Sequence, residues 1–211
     1  MLDLNIQTEF DNLTYEELKN TCLNCQNCKL SENRKNVVFG VGNVPCNVMV
    51  IGEGPGEQED LSGVPFIGKA GQLLTKIFES VKINREDDIY ITNIVKCRPP
   101  QNRNPEKEEV NVCKSYLLRQ INLVKPKIII VLGSPALKTI LGETLSITKE
   151  RGKWFKKETN YMEDFLYIIP MFHPSYLLRN DSREKEIPKW LTWQDMKELK
   201  SAMDFYAVFN K

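Results

Sequence analysis

The chain has 211 residues, of which 41% are hydrophobic, and a formal net charge of +1, so we predict a single domain over residues 1–211. Residues 1–60 carry 10 acidic and 4 basic side chains, and the remainder carries 18 acidic and 25 basic side chains. The basic remainder is compatible with binding to a phosphate backbone, but it is equally typical of solvated surface lysines. No apolar run is long enough to cross a membrane, and the acidic N-terminus lacks the order of a signal peptide, so we expect a cytoplasmic protein.

The apolar periodicity predicts alternating helices and strands. Thr14 and Glu17 form a capping box, which predicts a helix from Tyr15. Further helices are predicted at Ala70–Val81, Glu106–Val124, Pro135–Leu141 and Trp193–Val208. Strands are predicted at Val48–Ile51, Ile89–Val95, Ile128–Leu132 and Phe165–Ile169. This alternation predicts an α/β fold, a three-layer α/β/α sandwich with a central four-stranded parallel sheet, and the charged segment Arg179–Lys189 is predicted to be a mobile loop.

The stretch Val50–Leu74 joins a strand to a helix through a long loop rich in glycine and acidic residues. Such a loop forms a ligand crevice at the carboxyl end of an α/β sheet. It is not a dinucleotide fingerprint, because Glu57 stands where the third glycine should be. It is not a phosphate loop either, because Ala70 replaces the magnesium-binding hydroxyl and Pro65 removes an N–H donor. We therefore expect no nucleoside triphosphate site.

Cysteines form the second group of interest. The six cysteines are Cys22, Cys25, Cys28, Cys46, Cys97 and Cys113. In a cytosolic chain, clustered cysteines favour a metal over disulfides. A four-thiolate site from Cys25, Cys28, Cys97 and Cys113 would suit zinc or an iron–sulfur cluster, and the spacing does not separate the two. With His173 as its one histidine, the chain cannot build a zinc site on two or more histidines.

Polar side chains lie toward the ends of three predicted strands. Glu53 follows the first strand, Asn93 lies near the end of the second, and His173 follows the fourth. Because the carboxyl ends of parallel strands meet at one edge of a sheet, these side chains are predicted to share one site. A single histidine is more often a satisfied core group, but three polar strand ends favour a common crevice.

At these residues the chain resembles the family 4 uracil-DNA glycosylases, the iron–sulfur class. The motifs that carry the resemblance are Gly52-Glu-Gly-Pro-Gly-x-x-Glu-Asp60, Pro65-Phe-Ile-Gly-Lys-Ala-Gly71, Thr92-Asn-Ile-Val-Lys-Cys-Arg-Pro-Pro100 and His173-Pro-Ser-Tyr-Leu177. Shorter matches, from Cys25-x2-Cys-Lys-Leu30 to Leu177-Leu-Arg179, extend it over roughly residues 22 to 180. So many motifs in the same order are highly specific.

The resemblance implies a monomeric enzyme that hydrolyses the N-glycosidic bond of deoxyuridine in single- or double-stranded DNA, releasing uracil and leaving an abasic site. It also implies a structural 4Fe–4S cluster on Cys25, Cys28, Cys97 and Cys113, with Cys22 as a rival to Cys25 and Cys46 as a spare thiol. It predicts neither a strand preference nor a replication-clamp contact.

The resemblance also implies roles within the site. Phe66 would stack on uracil, Asn93 would read its edge, and His173 would donate a hydrogen bond to its O2 atom, with backbone N–H groups near Glu53 and Gly54 adding to the anion site. The family usually has alanine where this chain has Gly54, so no side chain there orients the attacking water. Candidates for that role are Glu53 and Asn102.

Three more residues receive roles from the resemblance. Glu59 resembles the residue that excludes the 5-methyl group of thymine. Leu177 resembles the residue wedged into the gap left by the flipped base, and Arg179 would hold the DNA backbone beside it. The remaining alternative is a non-catalytic DNA-binding module with a zinc or iron–sulfur clip, which would need neither Asn93 nor His173. A class that bonds covalently to uracil is not expected, because the loop from Gln101 to Glu109 contains no histidine.

Overall fold

The computed structural model of the protein describes residues 2–180 and 187–209. The helices are α1 Tyr15–Leu23, α2 Leu30–Asn33, α3 Glu57–Ser62, α4 Lys69–Glu79, α5 Lys107–Val124, α6 Ser134–Leu141, α7 Ile147–Glu150, α8 Pro174–Arg179 and α9 Pro188–Phe209. The strands are β1 Val48–Gly52, β2 Ile89–Asn93, β3 Ile128–Leu132, β4 Phe155–Lys157 and β5 Leu166–Met171, and a 3-10 turn spans Pro100–Asn102. The predicted mobile loop includes residues 181–186, which lie outside the described ranges.

The sheet has the order β2-β1-β3-β5-β4. Strands β1, β2, β3 and β5 are parallel, which confirms the four predicted strands. The sheet also has a fifth strand, β4, which pairs antiparallel with β5. The predicted sheet therefore lacked β4, because this strand has only 3 residues, Phe-Lys-Lys, and no apolar run from which a strand could be predicted. An antiparallel edge strand is a common addition to such sheets.

Side chains alternate between the two faces of the sheet, and each face has its own core. Met49 and Ile51 pack on the face covered by α1, α5 and α6. Val48 and Val50 pack on the opposite face, against α4 and α9. This division confirms the predicted three layers. The capping box of Thr14 and Glu17 also starts α1 as predicted.

The ends of the parallel strands position the functional site. Gly52 at the end of β1 is in register with Asn93 at the end of β2, and Leu132 of β3 is in register with Met171 of β5. The loops after these strands therefore meet at one edge, where α/β sheets bind ligands. Within the described ranges, none of the helices combines the length and apolar character that crossing a bilayer requires.

Candidate active site

A cavity of about 280 Å³ opens at this edge of the sheet. Seven of the predicted site residues line it, namely Glu53, Gly54, Glu59, Phe66, Asn93, Asn102 and His173. Residues that the sequence had not singled out also line it, including Pro55, Pro99, Arg103 and Ser175. The structure thus brings the loops after β1, β2 and β5 into one pocket, of the concave kind that takes small ligands or single bases.

Asn93 is the most informative side chain in the cavity. It ends β2, it is 1% exposed, and its Oδ1 atom has no hydrogen-bond partner among the described residues. Gly52 makes room for it, since a Cβ there would lie 2.5 Å from Asn93 Oδ1 and 2.5 Å from the Phe66 ring. Buried polar atoms in folded proteins are nearly always paired. An unpaired acceptor in a cavity is therefore ready for an N–H group of a ligand.

His173 occupies the N-cap of α8, directly after β5. Its Nδ1 atom accepts a hydrogen bond from Ser175 N at 3.2 Å and lies 2.8 Å from Ser175 Oγ. An Nδ1 atom that accepts an N–H bond carries no proton, so the neutral ring is protonated on Nε2. Burial, assisted by the positive charge of Arg179, lowers the pKa of His173 to about 4. At neutral pH the ring is therefore an uncharged Nε2–H donor.

The ring of Phe66 forms one wall of the cavity beside His173. The two ring centroids are 5.7 Å apart, with 37° between the planes. Phe66 has a φ of +53°, a left-handed conformation that is uncommon for a residue with a side chain. The following helix approaches its carbonyl closely, because a Cβ at Gly71 would lie 1.8 Å from Phe66 O. Gly71 is thus required for the close packing of this turn.

Glu53 and Gly54 form the floor of the cavity after β1. The carbonyl of Glu53 accepts a hydrogen bond from Val95 N at 3.3 Å, which extends the β1–β2 pairing into the loop. Burial raises the pKa of the Glu53 carboxyl. A Cβ at Gly54 would lie 2.9 Å from Val95 Cγ2, so alanine fits this position only if the valine shifts.

The carboxylate of Glu59 lies against the backbone N–H groups of two loops. It accepts hydrogen bonds from Gly56 N at 3.1 Å, Ile67 N at 2.9 Å and Gly68 N at 2.8 Å. These bonds join the start of α3 to the start of α4. Because backbone donors surround the charge, the side chain is held in one position at the edge of the cavity.

The loop after β2 closes the cavity from the other side. Gln101 and Asn102 both adopt left-handed conformations, with φ values of +54° and +55°. Asn102 Oδ1 accepts a hydrogen bond from Arg98 Nε at 2.8 Å. Arg103 forms an ion pair with Glu109 at 2.6 Å. Consecutive strained residues persist only where their surroundings hold them, so this loop is preformed.

The predicted DNA-contacting residues on α8 do not line the cavity. Leu177 is 1% exposed, whereas its neighbour Leu178 is 43% exposed. Arg179 ends the helix and is exposed. The large apolar side chain that α8 presents to solvent is therefore Leu178, while Leu177 packs inward.

The cysteines gather on the α1 side of the sheet. Cys97 and Cys113 are buried, Cys25 and Cys28 are partly exposed, and all four pack against the same core. Cys22 is also buried and lies within electrostatic reach of three of these thiols, those of Cys25, Cys97 and Cys113. Cys46 instead donates to the carbonyls of Val48 and Asp88. Across residues 2–180 and 187–209, no three His, Cys, Asp or Glu side chains converge on one metal-ion position.

A sulfur atom of this group accepts an N–H hydrogen bond from a side chain. Arg34 Nη1 donates to Cys97 Sγ at 3.2 Å. The backbone groups of Leu30 and Lys96 act to lower the pKa values of Cys28 and Cys113, respectively, and burial, the larger effect, raises both. N–H donors of this kind stabilise thiolates and tune metal–sulfur centres.

Lys96 is completely buried beside these cysteines. Its Nζ atom donates to Thr92 Oγ1 at 2.6 Å and to Asn93 O at 2.7 Å. The groups that act on it electrostatically are the thiols of Cys22, Cys97 and Cys113. Burial lowers the pKa of Lys96 to about 8, and the three cysteines oppose this shift. Burial raises the pKa values of the Cys22, Cys97 and Cys113 thiols, and Lys96 opposes that rise at Cys22 and Cys113, so its ammonium is the charge that would balance a buried thiolate.

The chain is similar to known proteins over most of its length. The family model described as Uracil DNA glycosylase superfamily matches residues 39–197. The curated Type-4 uracil-DNA glycosylase of Thermotoga maritima is 45% identical over 181 residues, which cover 84% of this chain and 88% of that protein. The Type-4 enzyme of Sulfurisphaera tokodaii is 42% identical over 174 residues, 81% of this chain and 78% of that protein. The Type-4 enzyme of Saccharolobus solfataricus is 41% identical over 183 residues, which cover 85% of this chain and 82% of that protein.

Proposed function

The chain belongs to the type-4 enzymes of the uracil-DNA glycosylase superfamily, and from this premise we propose how its residues remove uracil from DNA. The overall reaction is hydrolysis of the bond between uracil N1 and deoxyribose C1′, which leaves an abasic site. The observation that carries the proposal is the unpaired, buried Oδ1 atom of Asn93 in a cavity shared with Phe66 and His173. The partner is uracil-containing DNA, single- or double-stranded, bound by one copy of the chain.

Base recognition rests on Asn93. Its Oδ1 atom accepts a hydrogen bond from uracil N3–H, and its Nδ2 group donates to uracil O4. Cytosine presents an acceptor at N3 and a donor at the 4-position, so the same amide would leave buried groups unpaired. The base must leave the helical stack to reach this amide, at a cost of about a few kcal/mol. Stacking on the Phe66 ring offsets part of that cost.

Bond cleavage leaves negative charge on the departing uracil. His173 donates its Nε2–H to uracil O2 as this charge develops. The neutral ring already carries this proton in the free enzyme, because Ser175 N–H occupies Nδ1. A preorganised donor of this kind lowers a barrier by about 3–4 kcal/mol. Backbone N–H groups near Glu53 and Gly54 add to the same anion site.

The water that attacks C1′ is oriented by Glu53. Gly54 has no side chain to contribute, and Asn102 already uses its Oδ1 atom to accept the hydrogen bond from Arg98. The Glu53 carboxyl lines the cavity and is partly buried. As a carboxylate it accepts a proton from the water while the C1′–O bond forms and the C1′–N1 bond breaks.

Three residues at the rim complete the DNA contact. Glu59, fixed by its backbone donors, stands where the 5-methyl group of thymine would enter. Leu178 is the wedge that fills the space of the flipped base, since it is exposed on α8 where Leu177 is buried. Arg179, one residue further on, contacts a phosphate beside the gap.

We also propose a 4Fe–4S cluster on Cys25, Cys28, Cys97 and Cys113. The buried ammonium of Lys96 and the hydrogen bond from Arg34 to Cys97 would each stabilise an ionised thiolate. The four thiols pack against one core, and sets of four cysteines hold 4Fe–4S clusters. When bound, the cluster would be a structural crosslink between the α1–α2 loop, the end of β2 and α5.

The purified holoenzyme tests these proposals on oligonucleotides that contain one uracil. We expect free uracil and an abasic site from single- and double-stranded substrates, together with iron and acid-labile sulfide in equal amounts. Asn93→Asp presents acceptors at both positions, so we expect uracil release to fall about 100-fold and discrimination against cytosine to relax. Wild-type discrimination in this variant would remove Asn93 from base reading, and zinc in place of iron would overturn the cluster.

A further inference from the structure

Arg85 lies outside the cavity, in the turn between α4 and β2, yet it contacts the cavity wall from behind. Its Nη1 atom donates to Phe66 O at 2.6 Å, and its Nη2 atom donates to Pro65 O at 2.6 Å. Nη1 also lies 3.0 Å from Thr75 Oγ1 on α4. One planar guanidinium therefore bridges two consecutive carbonyls and the helix that follows them.

The carbonyls held by Arg85 belong to the strained turn of the site. Phe66 has a φ of +53°, which a residue with a Cβ adopts only when its surroundings enforce it. Two short bonds to a charged donor supply such a constraint. Without these bonds we expect the Phe66 φ to relax toward negative values and the ring to move from its position beside His173. The bridge and the position of the aromatic ring are thus mechanically linked.

We propose that Arg85 is a positioning residue for base stacking, which holds the Pro65–Phe66 turn so that the Phe66 ring presents its face to the flipped uracil. The inference rests on the proposed function, because it requires Phe66 to stack on the base. The guanidinium suits this task, since its donors diverge in a fixed fork and reach both carbonyls together. A lysine ammonium on a flexible stem would hold one carbonyl at a time.

A double-mutant cycle tests the link through two variants, Arg85→Met and Phe66→Leu, alone and combined. The readouts are the inhibition constant of free uracil and the separate kcat and KM values on single-stranded uracil-DNA. We expect Arg85→Met to raise the inhibition constant of uracil and KM about tenfold, the scale of a largely lost base stack, with a smaller effect on kcat. In the Phe66→Leu background the same substitution should change both constants less than about twofold.

The matched control is Lys76→Met, which removes an exposed positive charge from α4 without touching the turn. Lys76→Met should leave the inhibition constant of free uracil unchanged. Lys76 does not contact the turn, and free uracil carries no phosphate that a surface charge could attract. Arg85→Lys should recover part of the loss, and it remains informative if Arg85→Met folds poorly. Circular dichroism and the thermal midpoint of each variant identify loss of fold.

Two outcomes would overturn the inference. One is an unchanged uracil constant in a folded Arg85→Met or Arg85→Lys protein. The other is an equal effect of Arg85→Met in the wild-type and Phe66→Leu backgrounds, which would mean that Arg85 acts independently of the ring. If Phe66→Leu itself leaves the inhibition constant of uracil unchanged, the stacking role of Phe66 in the proposed function fails too. The Phe66→Leu result therefore distinguishes failure of the stacking role from failure of the Arg85 role alone.

Discussion

Two regions meet at the end of β2, and they differ in whether their buried polar groups have hydrogen-bond partners. On the cavity side, the buried Oδ1 atom of Asn93 has no partner among the described residues. On the cysteine side, the ammonium of Lys96 is bonded to Thr92 Oγ1 and Asn93 O, and Arg34 donates to Cys97. An unpaired group marks a place where an external molecule completes the hydrogen bonding, whereas a paired and buried layer marks scaffold.

The two regions are also physically connected. The backbone carbonyl of Asn93 accepts the hydrogen bond from Lys96, while its side chain faces the cavity. The carbonyls of Gly52 and Glu53 accept hydrogen bonds from Ile94 N and Val95 N, which continue the pairing beyond the strand. The cysteine layer thus fixes the backbone that presents the Asn93 amide to the cavity. This predicts large stability effects on one side and large rate effects on the other.

The largest effect is expected from Cys113→Ser on the cysteine side. Cys113 is a proposed cluster ligand that a serine cannot replace, so we expect loss of iron and sulfide and a fall of several kcal/mol in the free energy of unfolding. Cys46→Ser is the control, because the Cys46 thiol donates to the carbonyls of Val48 and Asp88 and is not one of the four proposed cluster ligands. Iron content and chemical unfolding measure both variants. Equal behaviour of the two would contradict the division between the regions.

His173→Ala is the corresponding test on the cavity side. We expect single-turnover uracil release to fall about 10²–10³-fold, because the proposed donor to the leaving group is lost. Iron content and DNA affinity should stay close to wild type, since the ring contacts neither the cysteines nor, by proposal, a phosphate. A rate within a few-fold of wild type would remove His173 from the mechanism, and loss of iron would contradict the separation of the two regions.

The sequence alone predicted much of both regions, for a definite physical reason. Asn93 and His173 follow apolar runs, and the ends of parallel strands must meet, so their meeting in one cavity followed from the strand pattern. The turn of Phe66 was predicted as part of the site, but its clamp was not. Arg85 acts on backbone carbonyls across a tertiary contact, and no sequence spacing reports such a bond.

Other details depended on how elements pack. Leu177 and Leu178 are both leucines, and which of them faces the core is set by the rotation of α8 against α4. The role of Lys96 was likewise not predicted, because a lysine beside a cysteine in sequence is ordinarily exposed. Its burial becomes meaningful only when the surrounding thiols are seen together.

A smaller effect is expected from pH, and its sign follows from the lowered pKa of His173. The folded value of about 4 lies below the ordinary value of 6.5, so the folded state binds fewer protons than the unfolded chain between these limits. The contribution of the neutral His173 ring to the free energy of unfolding is fully present above pH about 6.5 and is lost as the pH falls toward 4. Between pH 7.5 and 5.5, wild type should lose about 1 kcal/mol more than His173→Asn. Parallel unfolding curves at these pH values check the difference, and equal losses would contradict it.

The smallest effect on the reaction rate is expected on α8, at Leu178, with the buried Leu177 as its comparison. Leu178→Ala removes the proposed wedge, so we expect the rate on double-stranded DNA to fall about fivefold, while single-stranded DNA, which needs no wedge, is cleaved normally. Leu177→Ala removes a buried side chain and should instead lower the free energy of unfolding by about 2–5 kcal/mol. The ratio of the double- to single-stranded rate, with a thermal melt of each variant, distinguishes them. If Leu177→Ala alone changed that ratio, the wedge would be the buried residue and α8 would have to open on DNA.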